Sequence, residues 1–166
     1  MSIPNGTPPE AAGRFAATVG RFAAAVEAGE PWAIAALFSE AGVYHDLVYG
    51  VFRGRAAIEA MFRDKWFRDA GAFRWQMLDA VSDGRTGYAH WLHSFELKNP
   101  AGKRRVVVDG ASQFLLTPEG LIERYLEWTE GFGSLRRAGA GQTTIDAIMY
   151  RHDDRVRARP EAAAHF

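Results

Sequence analysis

The chain contains no cysteine. Disulfides, thiolate nucleophiles and Cys-ligated zinc are excluded together, and cysteine usage carries no information on the redox compartment. Net charge is also missing, since 20 Lys and Arg balance 20 Asp and Glu. No electrostatic field is present to attract nucleic acid or an anionic membrane, so neither is an expected partner. No apolar run approaches the roughly 18 residues of a membrane span, and the Pro- and Gly-containing stretch Met1 to Ala12 lacks a basic-then-apolar leader pattern. The reading is a soluble, cytoplasmic protein. There is no phosphate-binding glycine loop, no nucleophile elbow, no dinucleotide fingerprint and no internal repeat. His90 and His93, three apart on a strand, point to opposite faces, and no other spacing suits a metal. Neither metal nor cofactor is expected.

What is present is the material of one domain: 166 residues, 48% of them hydrophobic, enough to bury a core. Arg14 to Glu27 repeats Phe15, Val19, Phe22 and Val26 at helical spacing and stops at Gly29. Pro31 opens a second short helix, with Ile34, Leu37 and Phe38 inward, that ends near Gly42. Val43 to Leu47 alternates as a strand, and Arg55 to Phe67 returns to helical period with Ile58, Met61, Phe62 and Trp66 inward. Four strands follow, Phe73–Val81, Gly87–Leu97, Arg105–Leu116 and Leu121–Glu130, separated by Asp-Gly, Asn-Pro and Pro-Glu-Gly turns. Helices first and an antiparallel meander second is an α+β pattern, and a long twisted sheet curls over the helices. The expected organisation is a flexible N-terminus over 1–13, an α+β domain over 14–130 and a C-terminal extension over 131–166. In the extension, glycines 131, 133, 139 and 141 mark a linker, and Thr143 or Thr144 caps a short helix through Met149.

Side-chain parity selects the candidate site. Tyr44 and Asp46 share a face of their strand, Trp91 shares one with Ala89, His93, Phe95 and Leu97, and Glu127 shares one with Leu121, Glu123, Tyr125 and Thr129. The opposite face of the last strand carries Ile122, Leu126 and Trp128, which points to a homodimer buried through the convex side. Asp109 falls opposite Gly110, Ser112 and Phe114 and reads as a surface or interface residue. Asp46 is a general base if burial raises its pKa, or else a turn- or helix-capping aspartate at the strand end. His93 is a proton donor or a core histidine bonded to a carbonyl; Glu127 is an inward acid or half of an ion pair.

The run from Phe22 to Phe62, with Val43-Tyr44-His45-Asp46 and Phe52-Arg53-Gly54-Arg55-Ala56-Ala57-Ile58, and the later Gly120-Leu121-Ile122 and Tyr125-Leu126-Glu127-Trp128-Thr129-Glu130, resembles the nuclear transport factor 2-like superfamily, in its SnoaL-like and ketosteroid-isomerase-like branches. The resemblance covers roughly residues 14 to 130. It implies a cone-shaped curved antiparallel sheet wrapped around N-terminal helices, a cystatin-like α+β barrel with a pocket inside. Against the ketosteroid isomerases, the proton-abstracting aspartate falls on Asp46, the oxyanion-donating tyrosine on Phe22 and the protonated aspartate near Ser112, so a phenol and a carboxylic acid are both replaced. Against the limonene epoxide hydrolases, Tyr44 and Asp46 fall on the Tyr and Asn that hold the attacking water, Glu127 on the aspartate base, and Trp91 and His93 on an Arg-x-Asp pair. The SnoaL-like pattern is met at Trp91, Gly110, Gly120, Ile122 and Glu130.

The implied function is a cofactor-independent acid–base enzyme acting on a small hydrophobic oxygenated molecule, as an isomerase, polyketide-type cyclase, dehydratase or epoxide hydrolase. Asp46, His93 and Glu127 are the expected catalytic groups, and Phe22, Phe38, Tyr44, Trp91, Ser112, Phe114 and Tyr125 the expected surround of a small hydrophobic ligand. The alternative is a non-catalytic ligand-binding or assembly domain of the same fold.

Overall fold

Residues 9–98 and 105–165 are described by a computed structural model. Helix α1, Pro9–Ala28, begins before the expected Arg14, so residues 9–13 are helical; residues 1–8 lie outside the described residues. Phe15, Val19, Phe22 and Val26 are each at most 2% exposed, the buried stripe that their spacing predicts. Gly29 ends the helix at φ 71°, and the next N–H, from Glu30, closes on the Ala25 carbonyl at 3.0 Å. A side chain at position 29 is strained in that backbone.

Helix α2 is Pro31–Ala36, shorter than expected, because Phe38 already belongs to strand β1, Phe38–Asp46. Strand β2, Gly50–Arg53, returns along β1 after a tight corner at residues 47–49. Four residues without a clear alternation gave no signal for it. Helix α3, Arg55–Met61, runs into a π-helical turn, Phe62–Trp66, and a last turn α4, Phe67–Asp69. Strands β3, Ala70–Ser82, β4, Thr86–Leu97, β5, Arg105–Leu116, and β6, Ile122–Glu130, form the expected meander.

The six strands lie in the order β2-β1-β6-β5-β4-β3 in a curved sheet that stays open at β2 and β3. The α+β class and the curved sheet are as expected, but one pair, β1 with β6, is parallel. The helices after β2 carry the chain to the far edge, and the meander returns until β6 meets β1. Two bulges bend β3, and Ala72 and Asp79 take positive φ beside them, 50° and 45°. A bulge at Glu123 sets Leu115 opposite Arg124 but Leu116 opposite Ile122. Parity reverses there. Ile122 is therefore fully buried in the core rather than on the convex face, and Glu123 turns outward to meet Arg85 at 2.5 Å.

Helix α1 packs on the concave face, where Phe22 meets Trp75 edge-on at 5.2 Å and stacks on Tyr125 at 5.5 Å. Gly110 leaves room for Trp91 to lie across the sheet: a Cβ there would stand 2.4 Å from the indole and 2.5 Å from the Trp128 carbonyl. Beyond β6 come α5, Phe132–Arg137, α6, Gln142–Arg157, and a 3-10 turn, Pro160–His165. Helix α6 is longer than the expected helix ending at Met149 and is capped at Gly141 without a side-chain bond from Thr143 or Thr144.

Candidate active site

A cavity of about 760 Å³ lies between the concave face of the sheet and the C-terminal segment. Asp46, His93 and Glu127 all line it, as strand parity predicts. Trp66, Phe73, Trp75, Trp91 and Phe95 make one side aromatic, and Phe132, Leu135, Ala138 and Ile148 of the C-terminal extension close another. A few polar groups set in an apolar hollow of this size suit a small-molecule ligand.

Asp46 ends β1 and organises the corner after it. Its Oδ1 accepts the N–H groups of Val48 at 2.7 Å and Tyr49 at 2.6 Å, and its Oδ2 accepts the Trp66 indole N–H at 2.7 Å. Asp46 is the turn-forming aspartate and at the same time a buried cavity carboxylate, 5% exposed. Trp66 reaches it from the π-helical turn, which re-aims a side chain relative to ordinary helical spacing.

Glu127 is anchored by the same corner. Its Oε1 accepts the Leu47 N–H at 3.3 Å, and its Oε2 accepts the Tyr125 hydroxyl at 2.8 Å. Behind Tyr125, the Ser112 hydroxyl donates to the phenol oxygen at 2.8 Å and itself accepts from the Trp91 indole at 2.7 Å. An indole N–H only donates, so Trp91 orients the whole chain of hydroxyls towards Glu127. Tyr44 stacks on Tyr125 at 4.5 Å, but its hydroxyl makes no hydrogen bond of ordinary geometry.

Burial raises the pKa of both carboxyls. For Asp46 the three donors and the Arg151 charge oppose the rise, whereas Glu127, with the charge of Asp46 added to its burial, is pushed to about 8. The two acids interact, so they titrate as a pair; three donors favour the charged form of Asp46, and two favour that of Glu127. Burial, with a smaller contribution from Arg105, holds His93 down at about 3. Its ring stacks on Trp75 at 4.3 Å and on Trp66 at 5.6 Å, and its Nε2 is buried without a partner. A neutral imidazole there offers a hydrogen bond rather than a proton held for release.

Of the expected ligand surround, Trp91 alone lines the cavity. Phe22, Phe38, Tyr44, Ser112, Phe114 and Tyr125 are fully covered and lie behind its wall. The correction has a simple cause: α1 and its aromatic residues fill that end of the sheet, so the hollow opens nearer β3 and the C-terminal segment. Trp66, Phe73 and Trp75 are the wall residues that sequence reading missed; the cluster of aromatic residues between Phe62 and Trp75 was the available signal. Asp109 is exposed on the outer face, 2.5 Å from His90, beside a shallower groove of about 540 Å³. Among the described residues, no three His, Asp or Glu side chains gather as metal ligands would.

The sequence profile of the SnoaL-like domain family matches residues 19–125. No curated protein matches the chain. Among solved structures, a protein of ketosteroid isomerase-like fold from Catenulispora acidiphila, in complex with trimethylamine, superposes with a TM-score of 0.66 at 19% identity over 75% of this chain and 93% of that one. The epoxide hydrolase/cyclase-like enzyme SalBIII, of pyran ring formation in the polyether salinomycin, gives 0.62 at 21% identity over 71% and 92%. A limonene-epoxide-hydrolase-like enzyme of M. tuberculosis gives 0.64 at 17% identity over 78% and 94%. These likenesses establish the fold, and the whole C-terminal extension, 131–166, lies outside the profile match.

Proposed function

The chain belongs to the SnoaL-like domain family, and on that premise we propose that it is an acid–base enzyme, working without a cofactor on a small hydrophobic oxygenated molecule. Asp46 takes a proton from a substrate carbon, or from water, and Glu127 gives one to the substrate oxygen that gains charge. The proton count balances: one proton moves to Asp46, one leaves Glu127, and solvent or the product resets the pair. Neutral His93 donates a hydrogen bond that orients the oxygen, and the aromatic wall excludes water. The observation that carries the reading is two buried carboxyls joined to one corner of the chain in different surroundings, Asp46 accepting three hydrogen bonds and Glu127 raised by burial and by the charge of Asp46. Isomerisation, cyclisation, dehydration and epoxide opening all draw on such a pair. A ligand-binding role without chemistry is favoured by Asp46 already accepting three hydrogen bonds and by the absence of a phenol at Phe22.

The test is the titration of Glu127. Its folded pKa, about 8, lies above the ordinary 4.5, so the native state holds a proton that the unfolded chain releases. Its stabilising contribution is full below pH 4.5 and is lost as pH rises to 8, at no more than about 1.4 kcal/mol per pH unit. His93 acts on the acid side: held near 3 against the ordinary 6.5, its contribution is present above 6.5 and lost as pH falls. His45 and His152, also lowered from 6.5, act on the same acid side as His93, so between 6.5 and 8 the change is that of the coupled carboxyl pair. Denaturation at stepped pH is expected to show stability falling there in the native chain and flat in Glu127→Gln. Equal slopes in the two chains would leave the site without its acid.

We also propose a homodimer through the convex face, where Tyr88, Leu92, Val107 and Trp128 are 45%, 42%, 46% and 37% exposed. Light scattering is expected to give twice 18.4 kDa. A monomer at micromolar concentration would rule it out.

A further inference from the structure

The corner Leu47–Tyr49 is held from both sides. The N–H groups of Val48 and Tyr49 donate to Asp46 Oδ1. The carbonyls of the same two peptide units, Leu47 O and Val48 O, both accept from Arg151 Nη1 on α6, the first at 3.2 Å. Each peptide plane thus stands between a carboxylate and a guanidinium, its positive end towards Asp46 and its negative end towards Arg151. Dipoles aligned between opposite charges reinforce one another, here from the exposed Arg151 and the 38% exposed Val48 inward to the buried Asp46. Arg151 lies outside residues 19–125, so the family's shared domain does not contain it.

We propose that Arg151 is a positioning residue for Asp46: through two peptide units it fixes the Leu47–Tyr49 corner and favours the ionised carboxylate, so the base is ready only when α6 is seated. The groups facing Asp46 are Tyr44 on its own strand, Tyr49 on the corner, Trp66 on the π-helical turn, Glu127 on β6 and Arg151 on α6. Arg151 supplies the positive charge acting on the carboxylate, against burial and Glu127. Arg155, one turn on, ties α6 to the Glu127 carbonyl at 3.2 Å, so the helix braces both segments that carry the carboxyls.

The inference rests on Asp46 serving as the base, and its test reads titration rather than turnover, so the two readings fail separately. In the full chain, Arg151→Gln keeps a donor but removes the charge. Carbon-13 NMR of the carboxyls is expected to show the Asp46 midpoint moving up, and the Val48 and Tyr49 amides exchanging about tenfold faster. Arg151→Lys restores the charge with a single-point donor, so the midpoint returns towards that of the native chain while at least one of the two amides stays fast. Tyr150→Ala, at a position 70% exposed on the same helix, should move neither. An unchanged Asp46 midpoint in Arg151→Gln with α6 still helical overturns the proposal, as does an equal movement in Tyr150→Ala. If Arg151→Gln does not fold, Arg151→Lys decides, and native exchange at both amides overturns it.

Discussion

An Asp46→Asn chain is expected to fold and to lose about 10²–10⁴-fold in turnover. Asparagine keeps an oxygen for the Val48 and Tyr49 N–H groups, so the corner that Asp46 organises survives. Its amide nitrogen, however, then faces the Trp66 indole, donor against donor, where Oδ2 accepted at 2.7 Å. That conflict costs about 1–3 kcal/mol of stability. Trp66→Phe is the needed control, because it removes the same hydrogen bond and leaves the base in place. A convenient assay is deuterium uptake from heavy water beside the carbonyl of hydrophobic ketones, with oxygen-18 incorporation into epoxides run in parallel. Loss of turnover in Asp46→Asn with most of it kept in Trp66→Phe identifies the carboxylate as the base. Full activity in Asp46→Asn reduces the residue to its turn-forming role and favours the ligand-binding reading.

Strand parity carried much of this site, because alternation is strict wherever a strand is regular. Along β4 it put Trp91 and His93 inward, and along the second half of β6 it put Tyr125 and Glu127 inward, all as observed. It failed at Glu123, where one bulged residue reversed the faces of Leu121 and Ile122. No local composition marks such a bulge, since the register of the neighbouring strand decides it. Trp66 escaped for a related reason: the π-helical turn alters the spacing on which helical pattern reading depends. The role of the extension was only partly legible. Ile145, Ile148 and Met149 form an apolar turn in the sequence that needs cover; the two isoleucines are buried, whereas Met149 is 51% exposed. The contacts of Arg151 with Leu47 and Val48 join residues about a hundred positions apart, which only the folded chain displays.

Phe22→Ala is expected to cost about 3–5 kcal/mol of stability, a fifth or more of the roughly 5–15 kcal/mol that a domain holds. The side chain is fully buried among five aromatic rings, those of Tyr44, Phe62, Trp75, Phe114 and Tyr125, at centroid distances from 5.2 to 6.5 Å. Close-packed rings relax little into a void, so the lost contacts are not regained. The effect should also reach the cavity. Tyr125 stacks on Phe22 and donates to Glu127, so loosening the ring frees the hydroxyl that fixes the acid. Urea denaturation gives the first quantity, and the carboxyl titration of Glu127 in the same chain gives the second. The resemblance to the ketosteroid isomerases implies instead a residue at position 22 that faces the ligand. Under that arrangement the alanine would widen the ligand cavity, and the native fold would lose less than about 1 kcal/mol, as for a position already facing open space. A loss that small, with ligands of larger girth newly accepted, would return Phe22 to the cavity wall.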